Sequence, residues 1–283
     1  MATGPSSPNQ EQIDYWNGDA GARWVQERGE IDALLAPIAT AAIERAAVAR
    51  GSHVIDIGCG CGTTTLALAE LAGPTGTVLG IDVSATMIAE ARSRIPPGAT
   101  HVSFHLADAS TYRFARQRAH VAFSRFGVMF FADPAQAFAN IRTALRPDGR
   151  LVFVCWQALV ENDWARIPMA AALAFLPPPE PPAPTAPGPF AFADAARVRR
   201  ILEHAGYTHI AIDGLNLPLR LEGSLDAAVA FYRDIGPAAR LLREASPDAR
   251  ERALQSMRDA LAPHHDGRGI RFGAAAWLAS ATA

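Results

Sequence analysis

The segment from Val54 to Asp82 contains the residues best spaced for chemistry. It reads VIDIGCGCGTTTLALAELAGPTGTVLGID, with three glycines in five positions between an apolar run and an Ala/Leu-rich stretch. Glycine lets the backbone turn tightly and approach a ligand without a Cβ in the way, and the helix that follows directs its free N–H groups to the same place. Gly58, Gly60 and Gly62 therefore predict a cradle for a nucleotide-like ligand.

Two carboxylates flank these glycines. Asp82 follows Gly62 by 20 positions, where an acidic residue can accept hydrogen bonds from two ribose hydroxyls. Asp56 precedes the first glycine by two, and a carboxylate there repels pyrophosphate but attracts an ammonium or sulfonium group. Thr63 stands where the dinucleotide fingerprint G-x-G-x-x-G has its last glycine. The pattern favours S-adenosylmethionine over NAD.

The elements around the cradle alternate between strands and helices. Short, apolar, β-branched-rich runs predict strands, and helical stretches of roughly ten residues separate most of them. The predicted strands are residues 53–57, 77–81, 101–106, 120–124 and 150–155, and the predicted helices are 63–72, 84–94 and 134–145, the last ended by a turn RPDGR at 146–150. This alternation predicts a doubly wound α/β core with a mainly parallel sheet covered on both faces.

Helical segments extend the core at both ends. Apolar spacing over residues 10–49 predicts two or three short helices. Beyond residue 155 we predict helices at 162–176, 193–205 and 225–262, a strand at 208–213, a closing strand at 270–279, and a stiff segment PPPEPPAPTAPGP in which 8 of 13 residues are proline. The predicted division is an N-terminal helical lid (1–49), a cofactor-binding core (50–160), a mostly helical substrate cap with the proline-rich loop 177–189 and the sixth strand (161–265), and the closing strand (266–283).

The composition limits the choice of partner and compartment. The chain has 283 residues, a net charge of -2, and 26 basic residues that are all arginine, so Schiff-base and P-loop lysine chemistry are excluded. The near-neutral charge argues against nucleic acid. Three cysteines form no disulfide framework, and Cys59 and Cys61 lack the companions of a zinc site, so we expect no metal. Neither a signal peptide nor a membrane span is visible, which predicts a soluble, cytoplasmic protein.

Four motifs resemble a known family. VIDIGCGCGTTTLALA, GIDVSATMIAEAR, ADAS and SRFGVMFFADPAQAFANIRTALRPDGRLVFVCW are similar to successive motifs of Rossmann-type S-adenosylmethionine-dependent methyltransferases. They most resemble the branch that includes ubiquinone/menaquinone-biosynthesis methyltransferases and related small-molecule enzymes. The resemblance covers about residues 50–157. It implies a seven-stranded sheet whose last strand, supplied by the C-terminal segment, runs antiparallel.

The resemblance also implies which residues contact the cofactor. The methionine end would be held by Asp56, by the backbone of Gly58, Gly60 and Gly62 and by Ser124, the ribose by Asp82, and the adenine by Val83, Met87, Asp108 and Ala109. Structural alternatives remain for three of them. Asp56 also suits fixing the loop, Asp82 also suits capping the next helix, and a helical methionine such as Met87 commonly fills a core.

The methyl acceptor is expected over the ends of the fourth and fifth strands. The candidate acceptor residues are Tyr15, Trp16, Trp24, Arg125, Phe126, Met129, Trp156, Phe190 and Phe192. The aromatic residues before position 25 fit a lid whose ring faces attract a cation, or a staple that fixes the first helices to the sheet. Arg125 fits a clamp for an acceptor carboxylate or phosphate, or an internal salt bridge.

The predicted reaction is an in-line transfer of a methyl group to an N, O or C atom of a small, partly apolar metabolite. Proximity and orientation supply most of the acceleration for such a reaction, so no dedicated catalytic side chain is required. The fourth strand ends in SRFG and lacks the Asn/Asp-Pro-Pro-aromatic signature associated with adenine or glutamine methylation. A nicotinamide-dependent oxidoreductase and a non-catalytic cofactor-binding protein are the alternatives, and the choice between monomer and homodimer stays open.

Overall fold

Seven strands form one central sheet in this computed structural model, which describes residues 9–181, 183 and 185–283. They are β1 (His53–Ile57), β2 (Thr77–Asp82), β3 (Val102–Leu106), β4 (Ala119–Arg125), β5 (Leu145–Trp156), β6 (Thr208–Glu222) and β7 (Gly269–Thr282). The sheet order is β3-β2-β1-β4-β5-β7-β6. The first five strands are parallel, and β7 is antiparallel to both of its neighbours. The predicted fold class is confirmed.

Eleven α-helices flank this sheet within the described residues. They are α1 (Gln10–Asn17), α2 (Asp19–Gln26), α3 (Arg28–Ala46), α4 (Thr63–Ala72), α5 (Ala85–Ser93), α6 (Pro134–Ala144), α7 (Asp163–Leu173), α8 (Ala195–His204), α9 (Leu225–Asp234), α10 (Ala239–Glu244) and α11 (Pro247–Leu261). Side-chain caps fix several starts: Ser84 accepts from the N–H of Met87, and Asp133 caps α6 ahead of Pro134. Such caps satisfy N–H groups that have no partner inside the helix.

The strand order places the site. From β1 the chain moves outward to β2 and β3, whereas β4 and β5 lie on the other side of β1. Because crossovers between parallel strands are right-handed, this reversal puts the connecting helices on opposite faces of the sheet. The reversal lies between β1 and β4, and ligands of open α/β sheets bind outside the carboxyl ends of the strands at such a point.

One predicted turn is part of a strand. The sequence RPDGR was predicted to separate a helix from a strand, but β5 already begins at Leu145, which pairs with Ala119. The next pair is Arg150 with Val121, so residues 146–149 bulge out of the ladder. Asp148 takes a left-handed conformation there (φ +63°), which makes room for the extra residues without ending the strand.

The sixth strand is longer than predicted. The sequence predicted a strand over residues 208–213 only. In the structure β6 continues to Glu222, paired with β7 down to Gly269. Proline is tolerated because β6 lies at the edge of the sheet, where one row of N–H groups has no ladder partner. Since β5 pairs only with residues 276–282 of β7, the rest of the β6–β7 ribbon extends past the carboxyl ends of the parallel strands.

The N-terminal helices pack on α4, α5 and strands of the sheet, and α7 and α9 pack on β7. We keep the names lid for residues 1–49 and cap for residues 161–265, and this division stays a proposal. Residues 1–8 and two prolines of the predicted proline-rich loop, at positions 182 and 184, lie outside the described residues. No helix in the described part of the chain has the length and apolar character needed to cross a bilayer.

Candidate cofactor and acceptor site

The glycine loop follows β1 and turns directly into α4. Gly58, Gly60 and Gly62 all have left-handed φ values, of +66°, +53° and +82°. A Cβ on Gly58 would lie only 2.7 Å from the Cα of Gly127, so the loop after β1 touches the loop after β4 through backbone alone. No larger residue fits at this contact, and the two loops together form the floor of the switch point.

The middle of the loop, at Gly60, has only loose contacts on the side where a Cβ would stand. A Cβ on Gly60 would meet only Met87 Sδ at 3.7 Å and Trp24 Nε1 at 4.0 Å. Met87 is buried on α5, and Trp24 comes from the lid. A ligand on Gly60 would therefore have Met87 and Trp24 close by.

Asp82 fixes the loop from the end of β2. Its Oδ2 accepts a hydrogen bond from Gly60 N–H at 2.8 Å, and its Oδ1 accepts from Ser84 N–H at 2.9 Å. Each carboxylate oxygen has two lone pairs, so both can still accept from a ligand, and the side chain is half-buried. Burial raises the pKa of Asp82 while the hydrogen bonds from Ser84, Gly60 and Val83 oppose that rise.

Asp56 is enclosed beneath the loop. Its Oδ2 accepts from the hydroxyls of Thr64 and Thr65, both at 2.7 Å, which tie β1 to the first turn of α4. Its Oδ1 is buried and has no hydrogen-bond partner among the described residues. Burial raises the pKa of Asp56 to about 6, against the opposing effects of the two threonines and of Arg125.

Arg125 lies at the end of β4 and contacts the lid. Its Nη2 is 3.2 Å from Asp32 Oδ1 on α3, and its side chain is only 11% exposed. Its Nη1 is buried and donates to no atom of the described residues. The salt bridge that the sequence left as one alternative is present, and it leaves half of the guanidinium fork without a partner.

Asp32 also explains the threonine that replaces the last dinucleotide glycine. Thr63 Oγ1 donates to Asp32 Oδ2 at 2.6 Å and accepts from Arg94 Nη1 at 2.8 Å. Arg94 donates as well to the carbonyl of Cys61 at 2.6 Å. The start of α4 is therefore held by side chains from α3 and from the end of α5, and a glycine at 63 could form none of these bonds.

The other predicted cofactor residues lie along the same edge. Ser124 is buried and donates to the carbonyl of Ile57 at 2.7 Å, so it joins the ends of β4 and β1. Asp108 follows β3, and its Oδ1 accepts from Asn9 at 3.0 Å and from Ser110 N–H at 2.8 Å. Ala109 next to it is buried. The structure brings all ten predicted cofactor residues to the carboxyl ends of β1 to β4, and their ligand contacts stay predictions.

The lid is fastened over the loop after β2. Asn17 Nδ2 donates to the carbonyl of Val83 at 2.8 Å, and Asn17 Oδ1 accepts from Ala85 N–H at 2.9 Å. Ser84 Oγ donates to the carbonyl of Trp16 at 2.8 Å. The sequence analysis missed these bonds, although an asparagine just before a glycine at the end of a short helix was a signal for a side chain that bonds to backbone.

Aromatic rings continue from the end of β4 into the cap. Phe126 stacks on Trp156 with centroids 4.0 Å apart, Trp156 meets Trp164 at 4.8 Å, and Trp164 meets Phe190 at 6.4 Å. Phe126 has φ +63°, a strained conformation for a bulky side chain that tends to occur at functional sites. The series forms an apolar wall over the ends of β4 and β5.

The other acceptor candidates differ in exposure. Trp16 meets Trp24 at 5.7 Å and Phe130 at 5.3 Å, whereas Tyr15 is 49% exposed. Met129 and Phe192 are both 1% exposed. Met129 Sδ accepts from Trp156 N–H at 3.4 Å, and Phe192 packs near Phe138 and Phe153 in the core. Their predicted acceptor contacts are untested.

Comparisons with known proteins agree with this geometry. Residues 54–149 match the sequence model of a family described as a methyltransferase domain. Aklanonic acid methyltransferase DauC of Streptomyces sp. (strain C5) is 35% identical over 104 residues, which are 36% of this chain and 47% of that protein. The ubiquinone/menaquinone biosynthesis C-methyltransferase UbiE of Pseudomonas savastanoi pv. phaseolicola is 30% identical over 138 residues, 48% of this chain and 54% of that protein. The chain thus spans about half the length of these relatives.

A solved structure extends the likeness of the fold to the lid and the cap. Phosphoethanolamine N-methyltransferase 2 of Haemonchus contortus, in complex with phosphomonomethylethanolamine and S-adenosylhomocysteine, superposes with a TM-score of 0.58 at 16% identity, over 98% of this chain and 60% of that chain. The resemblance named from the sequence motifs is confirmed for the core. The chain contains, over residues 54–149, a methyltransferase domain of the Rossmann-like class.

Proposed function

We propose that this protein is an S-adenosylmethionine-dependent methyltransferase that methylates a small, partly apolar molecule. The observation that carries the proposal is the pairing of a Cβ-free cradle at Gly60 with two buried atoms, Asp56 Oδ1 and Arg125 Nη1, that have no hydrogen-bond partner among the described residues. Buried polar atoms are nearly always satisfied, so an orphaned acceptor and an orphaned donor at one site point to a ligand that satisfies both.

The charges of this pair suit an amino acid. Arg125 acts electrostatically on Asp56 and lowers its pKa, so the two groups lie within each other's field. Asp56 Oδ1 would accept from the α-ammonium group of the methionyl end, and Arg125 Nη1 would donate to its carboxylate. The threonines that hold Oδ2 keep Oδ1 directed away from α4.

The adenosine end of S-adenosylmethionine would contact residues at the carboxyl ends of β2 and β3. Asp82 would accept from the ribose hydroxyls with the lone pairs that Gly60 and Ser84 leave free. Met87 and Val83 would flank the adenine, and Asp108 and Ala109 would meet its amino edge. Trp24, within reach of Gly60, would close the cradle from the lid.

The acceptor would lie against the aromatic wall formed by Phe126, Trp156, Trp164 and Phe190. S-adenosylmethionine supplies a methyl group made electrophilic by its sulfonium. The chain would orient the acceptor toward that group, and the lid and the cap would exclude water from it. Orientation of this kind supplies much of the rate acceleration in group transfer, and aromatic faces favour the cationic centre by about 0.5–2 kcal/mol.

We extend the proposal to the setting of the reaction. The acceptor would be a small molecule and not nucleic acid, which fits a net charge of -2. We propose that the protein acts in the cytoplasm, since all three cysteines are free thiols. The lid and cap would enclose the substrate, and the acceptor atom would be N, O or C.

Calorimetry with S-adenosylhomocysteine and NADH, followed by methyl-label transfer into a metabolite extract, tests the proposal. We expect S-adenosylhomocysteine to bind, NADH not to bind, and the methyl label to appear in a small molecule. Binding of NADH without a response to S-adenosylhomocysteine would favour the oxidoreductase. Cofactor binding without transfer to any extract component would favour a non-catalytic binding protein.

A further inference from the structure

A cleft opens where α2 of the lid meets the cap. It has a volume of about 380 Å³, and its lining residues are Arg23, Arg233, Asp234, Leu242, Arg243 and Arg250. Four of the six are arginines in a protein whose net charge is -2. We name it the seam cleft. None of the residues proposed to bind the cofactor or the acceptor lines it.

The lid side of the seam cleft is largely neutralised. Arg23 of the lid pairs with Asp234 of α9, and Asp234 also accepts from Arg233 Nε and Nη2 at 3.1 and 2.8 Å. Asp19 lies 3.7 Å from Arg23 Nη2, and Glu27 is near enough to Asp234 and Arg233 for each to affect its pKa. The Nε of Arg23 is nevertheless buried without an acceptor among the described residues.

Two arginines on the cap side, Arg243 and Arg250, pair with no carboxylate among the described residues. Arg250 donates to the carbonyls of Leu242, Arg243 and Ala245 at 2.7 to 3.1 Å, so it ends α10 but meets no acidic side chain. Arg243 has no ion pair or side-chain hydrogen bond within the described residues. Arg243 and Arg250 therefore line one cleft together with Arg23, whose Nε is buried without an acceptor among the described residues.

We propose that the seam cleft binds an oxyanion, a carboxylate or phosphate group of a small molecule. Guanidinium forks match the geometry of such groups and bind them with charge-assisted hydrogen bonds. The site goes beyond the proposed methyl transfer, because nothing in the cofactor cradle requires it. Its ligand joins Arg23 of the lid to Arg243 of the cap, and so favours the closed arrangement in which Trp24 lies beside Gly60.

Titration of the full-length protein with inorganic phosphate tests the site directly. We expect saturable binding to the wild type and binding about tenfold weaker in Arg243→Gln, which removes a charge-assisted hydrogen bond. Arg240→Gln is the matched control, because Arg240 lies on the same helix but is exposed and pairs with Glu244 at 2.8 Å. Because Arg243 has no ion pair or side-chain hydrogen bond within the described residues, its replacement should not unfold the protein. Arg233→Gln, at an exposed arginine of the same cleft, is a second variant that should also weaken phosphate binding.

Equal phosphate affinity in Arg243→Gln and Arg240→Gln, or no saturable binding to the wild type, would overturn the proposal. Affinity for S-adenosylhomocysteine without phosphate is measured separately, so a failure here stays distinct from a failure of the proposed function. With phosphate present we expect that affinity to rise in the wild type and not in Arg243→Gln. If phosphate leaves the wild-type affinity for S-adenosylhomocysteine unchanged, the seam cleft does not favour closure of the lid.

The same variants distinguish two sources of the anion. If the oxyanion belongs to the methyl acceptor, phosphate inhibits label transfer competitively with the acceptor. If it is a free anion, phosphate and acceptor bind together, and transfer is stimulated at low acceptor concentration. In either case phosphate must bind more weakly to Arg243→Gln than to Arg240→Gln. Either result would therefore support an oxyanion site in the seam cleft.

Discussion

The two halves of the proposed active site are built from different parts of the chain. The cofactor half uses main-chain turns at Gly58, Gly60 and Gly62 and short polar side chains directly after β1 and β2. The acceptor half uses large side chains that come from β4, β5 and the cap. Backbone turns tolerate little change, whereas side chains on separate segments can be exchanged without disturbing the sheet. The comparison predicts that damage to the first half abolishes cofactor binding, and damage to the second changes only the acceptor.

Gly58→Ala gives the largest expected effect. The new Cβ would lie 2.7 Å from the Cα of Gly127, and φ is +66°, so clash and strain act together. We expect a loss of about 2–4 kcal/mol in the free energy of unfolding and no measurable binding of S-adenosylhomocysteine. Urea denaturation and calorimetry measure the two quantities.

Gly98→Ala is the matched control for that substitution. Gly98 has φ +82° but a Cβ there would meet nothing within 4 Å, so only the conformational strain remains, about 1 kcal/mol. Similar losses of stability for the two variants would show that the contact between the loops after β1 and β4 does not matter.

Asp82→Ala should come next. The substitution removes the acceptor for Gly60 N–H, bonded at 2.8 Å, and the proposed acceptor for the ribose. We expect the affinity for S-adenosylhomocysteine to fall by about 1.5–3 kcal/mol, the range for losing a charged hydrogen-bond partner. Asp82→Asn keeps the size and one acceptor oxygen, so it should lose less. An Asp82→Ala protein with wild-type affinity by calorimetry would refute the ribose role.

The sequence predicted the two halves of the site unequally. The cradle lies within 29 consecutive residues, from Val54 to Asp82, so its spacing carried the prediction, and the parallel sheet followed from the alternation of strand and helix. Contacts between distant residues left no local signal. Arg125 meets Asp32 across 93 positions, and Arg23 meets Asp234 across 211. The length of β6 also depended on its partner β7, which a pattern of single residues does not show.

Trp164→Leu tests the acceptor half. Trp164 contacts Trp156 with ring centroids 4.8 Å apart. Its loss should lower kcat/KM for the acceptor that receives the methyl label about tenfold, which corresponds to roughly 1.4 kcal/mol of transition-state stabilisation. The affinity for S-adenosylhomocysteine should stay unchanged. Trp277→Leu is the control, because both tryptophans are half-buried and donate one indole hydrogen bond, from Trp277 to Ala193 and from Trp164 to Asn162. Weaker cofactor binding in Trp164→Leu would mean that the two halves are not separate.

The pH dependence of cofactor binding sharpens the role of Asp56. Its pKa of about 6 means that the free protein takes up a proton as the pH falls through 6, and an ammonium group binds only the ionised form. We expect the affinity for S-adenosylhomocysteine to fall about fourfold between pH 7.5 and 5.5. Asp56→Asn should bind more weakly and lose this dependence, while the titration of Asp82 remains in both proteins.

The same titration affects stability with the opposite sign. The pKa of Asp56 in the folded state lies above its unfolded value of about 3.9, so the folded state holds the proton more tightly. Asp56 therefore contributes less to the free energy of unfolding as the pH rises from about 4 to 6. A wild-type affinity for S-adenosylhomocysteine that is the same at pH 7.5 and 5.5, or a fall of equal size in Asp56→Asn, would remove Asp56 from the methionine end.

Asn17→Ala should have the smallest effect, since it loosens the lid but removes no side chain that is proposed to contact the cofactor or the acceptor. Asn17 forms two hydrogen bonds to the loop after β2, with the carbonyl of Val83 and the N–H of Ala85, besides one to the carbonyl of Ile13 on its own helix. Exposed bonds contribute about 0.5 kcal/mol each. We expect S-adenosylhomocysteine to dissociate about two- to fivefold faster by stopped-flow fluorescence. Gln10→Ala is the control on the same helix, because Gln10 bonds only to Asp14 four residues on. Equal dissociation rates for the two variants would mean that the bonds of Asn17 do not hold the lid over the cradle, and that closure depends on the tryptophans and the seam cleft.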